Sequence, residues 1–130
     1  MSDFSNALSV STSGLKAQAQ RLRHVSENIA NVDTPGYRRK TVSFAATFGG
    51  SQRNGEVEVS RVNLDRREPQ KIYDPSHPLA DETGHYQGST VDLMIEIADA
   101  REAQRSYEAN LKMFDQVRQM SAGLMDLLRR

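Results

Sequence analysis

One stretch in the middle of the chain carries the residue types that metal chemistry uses. Asp74, His77, Asp81, Glu82 and His85 fall within twelve positions. Carboxylate oxygens and imidazole nitrogens are ligands for divalent cations. Their spacing matches no metal-ligand motif. The stretch therefore favours a solvated loop, and we predict no metal ligand in it.

Other signatures of catalysis are missing from the sequence. There is no nucleophile elbow, phosphate loop or HExxH helix. The chain has no Cys, which excludes disulfides and thiolate metal sites. We predict no catalytic residue and no cofactor, and a small enzyme built on residues 74–85 is the weakest alternative. The basic run Arg38 to Lys40 predicts a solvated face, or a contact with acidic groups of a neighbouring subunit.

The composition is that of one modest domain. The 130 residues include 17 basic and 17 acidic ones, and this zero net charge argues against a nucleic-acid partner. Apolar residues make up 37%, below the roughly 45–50% of typical domains. We therefore expect either that part of the chain is disordered when alone or that partners bury part of its apolar surface. No apolar run is long enough for membrane insertion. The N-terminus lacks the pattern of a cleaved secretory signal, so any export is expected to leave it intact.

The first third of the chain predicts a long helix over residues 4–32. Leu8, Leu15, Leu22 and Ile29 recur every seven positions, as in a helix with one apolar seam. The pattern stops at Pro35 and Gly36, which do not continue a helix.

A second long helix is predicted over residues 90–130, with Ser89 or Thr90 as its N-cap. Two apolar faces lie along it. The face predicted to pack on the first helix includes Tyr107, Leu111 and Phe114. The other face is a spare stripe, which we predict to be a subunit interface: Met113, Val117, Met120, Leu124 and Leu127.

The middle, residues 36–88, predicts a small β-rich insert. Apolar residues alternate from Val57 to Leu64 with a one-residue slip, as a β-bulge produces. Residues 71–73 and 85–87 are candidate short strands. A mobile loop is predicted over residues 48–56.

The predicted fold class is mainly α with a small β insert. The chain divides into residues 1–35, 36–88 and 89–130, and the two terminal helices are expected to pair as a coiled coil. Pairing leaves the spare stripe uncovered, and a long apolar patch usually marks an interaction surface. Three interpretations follow: an assembly subunit, a soluble helical adaptor with one partner, or a helical hairpin whose faces are all internal.

The join after the first helix, NIANVDTPGYRRK, resembles the signature of the flagellar rod and hook family. The residues that carry this motif are Asn28, Ala30, Asn31, Thr34, Pro35, Gly36 and Tyr37. Residues 73–86 and 100–111 are similar to segments of the FlgC type, and the short chain suits a proximal rod protein. The compact Thr-Pro-Gly-Tyr turn also occurs in FlgB-like chains, which leaves a second rod type open.

The resemblance implies a structural subunit of the proximal rod in the flagellar basal body, in the periplasm. Its terminal helices would polymerise as the coiled-coil inner layer of a tube that transmits torque. The implied partners are like subunits, neighbouring rod proteins and the membrane-ring base. Export would use the flagellar type III apparatus.

Overall fold

Two long helices flank a small β region. The computed structural model describes residues 2–47 and 55–130, so most of the predicted loop 48–56 lies outside the described residues. In chain order the elements are α1 (Ser2–Ala30), β1 (Lys40–Ala46), β2 (Val57–Leu64), β3 (Lys71–Tyr73), β4 (His85–Gln87) and α2 (Leu93–Leu128). The predicted fold class, mainly α with a β insert, is confirmed.

The N-cap of α2 is Asp92, whose side chain accepts a hydrogen bond from the Met94 backbone N–H. The prediction that Ser89 or Thr90 caps this helix is wrong. Ser89 Oγ instead donates to the Val32 carbonyl, and Thr90 Oγ1 accepts from the Arg39 N–H at 2.7 Å. Both hydroxyls therefore hold the segment before α2 against the chain that leaves α1.

The two helices pack against each other in antiparallel orientation. Asn28, near the end of α1, bonds Glu96, near the start of α2. Gly14, in the first half of α1, lies against Asn110, in the second half of α2. The helices thus run side by side from the β region towards the two chain ends.

Small and polar residues occupy the centre of the helix pair. The buried positions in α1 and α2 are Ser11, Ala17, Val25, Asn28, Glu96 and Ala103. Most of the residues predicted to pack between the helices are half-buried: Leu8, Leu15, Leu22, Ile29, Tyr107 and Phe114. Leu111 is more exposed, at 42%. Small side chains at the centre let the two helix backbones approach each other.

Gly14 tests this close approach. A Cβ at Gly14 would lie 2.9 Å from Asn110 Oδ1, and Asn110 is held by its bond to the Ser106 carbonyl. We expect Gly14→Leu to lower the free energy of unfolding by about 1–3 kcal/mol, measured by urea denaturation. Gly123→Leu is the matched control. Apart from its chain neighbours and the backbone of its own helix, no described atom lies within 4 Å of its Cβ position. The better helix propensity of leucine should therefore stabilise the protein slightly. Equal effects at both glycines would contradict the packing argument.

Strands β1 and β2 form an antiparallel hairpin that packs on α1. Ser43 pairs with Arg61 but Phe44 pairs with Val59, so Ser60 is the extra residue of a bulge. This confirms the slip predicted from the alternating pattern. Strand β1 itself was not predicted, although its residues 41–44, TVSF, alternate between polar and apolar side chains.

Strands β3 and β4 form a second, separate hairpin with Tyr73 opposite His85. Both strands were predicted. In the described part of the chain, neither strand contacts a helix or the first hairpin. We call residues 71–87 the finger. It is tied to the body at its base, where the Gly36 N–H donates to the Gln87 and Gly88 carbonyls.

Candidate assembly site

A buried amide joins the two helices to the β region. Asn28 Nδ2 donates to the Lys40 carbonyl at 2.9 Å and to Glu96 Oε2 at 3.2 Å. Its Oδ1 accepts from the Lys40 N–H and from the Tyr37 hydroxyl, both at 2.9 Å. An amide side chain has two donor and two acceptor positions, and all four are used here. Asn28 thus ties α1, α2 and the start of β1 together.

A buried carboxylate, Glu96, forms the second half of this polar contact between the helices and β1. We call Asn28, Arg39 and Glu96 together the joint. Glu96 is fully buried, and its Oε1 pairs with Arg39 Nε. Arg39 also approaches Asp99 at 3.7 Å, and Asp99 pairs in turn with Arg21 of α1. The prediction that Arg39 lies on a solvated face or meets a neighbouring subunit is wrong, because its acidic partners lie in its own α2.

Sequence reasoning missed Glu96. Its only signal is an acidic residue inside the apolar run LMIEIA, and a buried charge is rare unless it is paired. The large apolar neighbours in that run are exposed while the charge is buried. The buried contact at the start of α2 is therefore made by a polar residue and not by its apolar neighbours.

The motif residues after α1 form a fixed turn. Asn31 Nδ2 donates to the Glu27 carbonyl at 2.8 Å, and Thr34 Oγ1 donates to Asn31 Oδ1 at 3.0 Å. Gly36 has φ 74°, a backbone conformation that L side chains rarely adopt. Of the remaining motif residues, Ala30 is exposed and Pro35 is half-buried. The turn aims Tyr37 back at Asn28.

The pKa shifts of Glu27, Lys40 and Tyr37 favour the charge state that each has at neutral pH. A hydrogen bond from Lys40 Nζ, 2.9 Å from Glu27 Oε2, lowers the pKa of Glu27, and the same bond raises the pKa of Lys40. Burial raises the pKa of Tyr37, so its hydroxyl keeps the proton that it donates to Asn28. Groups whose pKa values are shifted away from neutral pH are suited to structural hydrogen bonds and ion pairs rather than to proton transfer.

The spare stripe of α2 faces solvent in the single chain. Met120 is 55% exposed and Leu127 is 66% exposed. Met113 and Leu124 are also exposed, and Val117 is half-buried. This contradicts the hairpin interpretation in which every apolar face is internal. The stripe is available to another molecule.

The acidic stretch of residues 74–85 is committed to turns. Asp74 accepts from the Ser76 hydroxyl at 2.6 Å, and Asp81 accepts from the Thr83 hydroxyl at 2.6 Å. These bonds lower the pKa of both carboxyls. In residues 2–47 and 55–130, no group of three His, Asp or Glu side chains is placed to hold a metal ion. No helix described there is both long and apolar enough to cross a membrane.

Comparisons with known proteins identify the family. The model of the flagella basal body rod protein family matches residues 2–38, and the flagellar basal body rod FlgEFG protein C-terminal model matches residues 82–127. A basal-body rod protein FlgC of Agrobacterium fabrum is 43% identical, covering 99% of this chain and 98% of its own. The chain belongs to the FlgC family of flagellar basal-body rod proteins.

More distant FlgC proteins are similar over most of the rod subunit. That of Salmonella typhimurium is 34% identical over 88% of this chain and 90% of its own. That of Bacillus subtilis is 35% identical over 82% and 85%. The chain is thus a structural subunit of the flagellar basal body, where it associates with other rod components. The FlgB-like and soluble-adaptor alternatives are not favoured.

Proposed function

We propose that this rod subunit polymerises through its terminal helices and transmits torque without catalysis. The supporting observation is the exposed stripe on α2, in which Met113, Met120, Leu124 and Leu127 face solvent. Burying one such side chain is worth about 1.5–3 kcal/mol. Burying the stripe in an interface therefore contributes favourable free energy that opposes the ordering costs of association.

In this proposal the helix pair is one coiled-coil element of a tubular inner layer. Residues 1–35 and 89–130 form that element, and residues 36–88 form an insert outside it. The joint around Asn28 and Glu96 holds the insert at a fixed position relative to both helices. Torque applied to one part then passes to the other through bonds rather than through a flexible linker.

The proposed partners are like subunits, neighbouring rod proteins and the membrane-ring base. A heterologous interface that does not close gives a helical array, as a rod requires. We propose that the chain reaches the periplasm through the flagellar export apparatus without losing a signal peptide. Mass measurement of the rod-incorporated subunit would test this, since cleavage would shorten its N-terminus.

Met120→Asp tests the proposed interface. Met120 is 55% exposed in the single chain, so the change should spare its fold. A carboxylate buried among apolar side chains loses its hydration, and we expect incorporation into rods to fall by about 100-fold or more. The measurement is rod incorporation and swimming in a flagellated strain whose own subunit the variant replaces.

Gln119→Asp is the matched control. Gln119 is also exposed on α2 and directly precedes Met120. Successive residues of a helix are rotated by about 100°, so Gln119 points away from the stripe. The control should assemble normally, with the same thermal unfolding as Met120→Asp. Normal motility of the Met120→Asp strain would refute the proposed interface.

A further inference from the structure

The finger is held in one shape by its own bonds. The Asp74 N–H donates to the Gly84 carbonyl at 2.9 Å, and the Asp81 N–H donates to the His85 carbonyl at 2.8 Å. The rings of His77 and Tyr86 stack with centroids 3.9 Å apart. A surface ordered in advance loses less conformational entropy on binding. These bonds hold the finger in its shape, although within the described residues its strands contact neither the helices nor the first hairpin.

The finger presents apolar side chains next to carboxylates. Tyr73 is 67% exposed and Leu79 is 65% exposed. Asp81 and Glu82, which follow Leu79 closely in the sequence, are also exposed. Glu82 has no hydrogen bond or ion pair with any residue that the structure describes. This leaves an apolar and acidic tip that nothing in the described chain covers.

A groove beside the first hairpin has the opposite charge. It has a volume of about 660 Å³ and is lined by Val62, Leu64, Arg61 and Arg66, among others. Leu64 is 55% exposed. Arg61 and Arg66 are exposed and make no ion pair within the described residues. Arg38 braces the rim by donating to the Asp65 and Arg67 carbonyls.

We propose that the finger of one rod subunit docks in this groove of a neighbouring copy. Leu79 and Tyr73 would cover Val62 and Leu64, and Glu82 would face Arg66. The charges of the two surfaces are complementary, which steers association and penalises wrong partners. Strands β3 and β4 do not contact β1 or β2 within the described chain. The groove is thus open to a second copy.

Such a contact joins two different patches of identical chains, so it is heterologous and extends copy by copy. It lies in the insert, away from the stripe of α2. The inference rests on the proposed assembly function and adds a second, outer contact to it. The tests below therefore include Met120→Asp, which probes the helical contact alone.

Disulfide cross-linking is the direct test. The chain has no Cys, so the variant Glu82→Cys with Arg66→Cys places both thiols on a clean background. In cells that assemble rods from this variant, oxidation should give covalent dimers and higher multimers. The matched control is Glu82→Cys with Arg23→Cys, because Arg23 is exposed on α1 instead. Cross-linking no stronger than in this control overturns the proposal.

Charge reversal gives an independent test. Glu82→Arg and Arg66→Glu should each reduce rod incorporation by about tenfold, because like charges then meet at the contact. The double variant, with both changes in every copy, should restore incorporation. Harmless single variants overturn the proposal, and so does a double variant without rescue, which would indicate a different partner protein. If these variants fail as stated while Met120→Asp still blocks incorporation, the assembly function stands and only the finger contact is refuted.

Discussion

Arg39→Met is expected to lower the free energy of unfolding by about 3–5 kcal/mol, because it leaves a buried carboxylate without its cation. Glu96 is fully buried and pairs with Arg39 Nε. The Asn28 amide would still donate to Glu96, but one neutral hydrogen bond does not offset the loss of hydration of a buried charge. Urea denaturation of the isolated chain, followed by circular dichroism, measures the loss.

The double variant Arg39→Met with Glu96→Met tells whether the stability lost in Arg39→Met comes from the unpaired carboxylate or from lost packing. Replacing both members of a buried ion pair by apolar residues of similar size is often neutral or stabilising. We expect the second change to recover most of the stability lost in the first. Arg101→Met is the control, because Arg101 is exposed on α2 and should change stability by less than about 0.5 kcal/mol. A double variant less stable than Arg39→Met would contradict this view of the joint.

The sequence predicted the elements whose signals are local. Heptad spacing with a Pro-Gly stop predicted α1 to within about two residues at each end, the usual margin. Alternating residues predicted β2, including its bulge at Ser60. Strands β3 and β4 were predicted as short segments on either side of the turn-rich stretch from Asp74 to Gly84. In each case the pattern needs no distant partner to be recognised.

The buried centre was not predictable in this way. Arg39 and Glu96 are 57 positions apart, and neither sits in a pattern that refers to the other. At the start of α2, hydrophobicity even predicts the wrong order of burial, because Met94 is 78% exposed and Glu96 is buried. Gly14, which lies against Asn110, and the fully buried Ala103 are likewise residues that apolar periodicity ranks below leucine. Tertiary packing, and not local preference, decides these positions.

Exposed apolar residues at the start of α2 are consistent with a subunit that completes its burial in an assembly. Leu93, Met94 and Ile97 face solvent beside the joint, as the stripe does at the other end of the helix. The polar joint gives the isolated chain specific geometry at one end of the helix pair. In the proposed assembly, neighbouring subunits would supply the apolar burial that the small centre lacks.

Asn28→Ala is the second large expected effect, about 3–4 kcal/mol of lost unfolding free energy. Removing the amide leaves Glu96 Oε2, the Tyr37 hydroxyl and both backbone groups of Lys40 without their partner. Each unsatisfied buried group costs about 1–3 kcal/mol, but a water entering the vacated space would replace part of the bonding. Asn6→Ala is the matched control, an exposed Asn on the same helix, and should change stability by less than about 0.5 kcal/mol.

Asn28→Asp tells which half of the amide matters. The carboxylate keeps the acceptor that Lys40 N–H and the Tyr37 hydroxyl use. It loses both donors and places a second negative charge against Glu96. If the joint depends on the donors, Asn28→Asp should be at least as unstable as Asn28→Ala at neutral pH, despite its nearly identical shape. A urea midpoint for Asn28→Asp close to that of the unmodified chain would mean that Asn28 only fills space. The joint would then not set the angle between the helices and the insert.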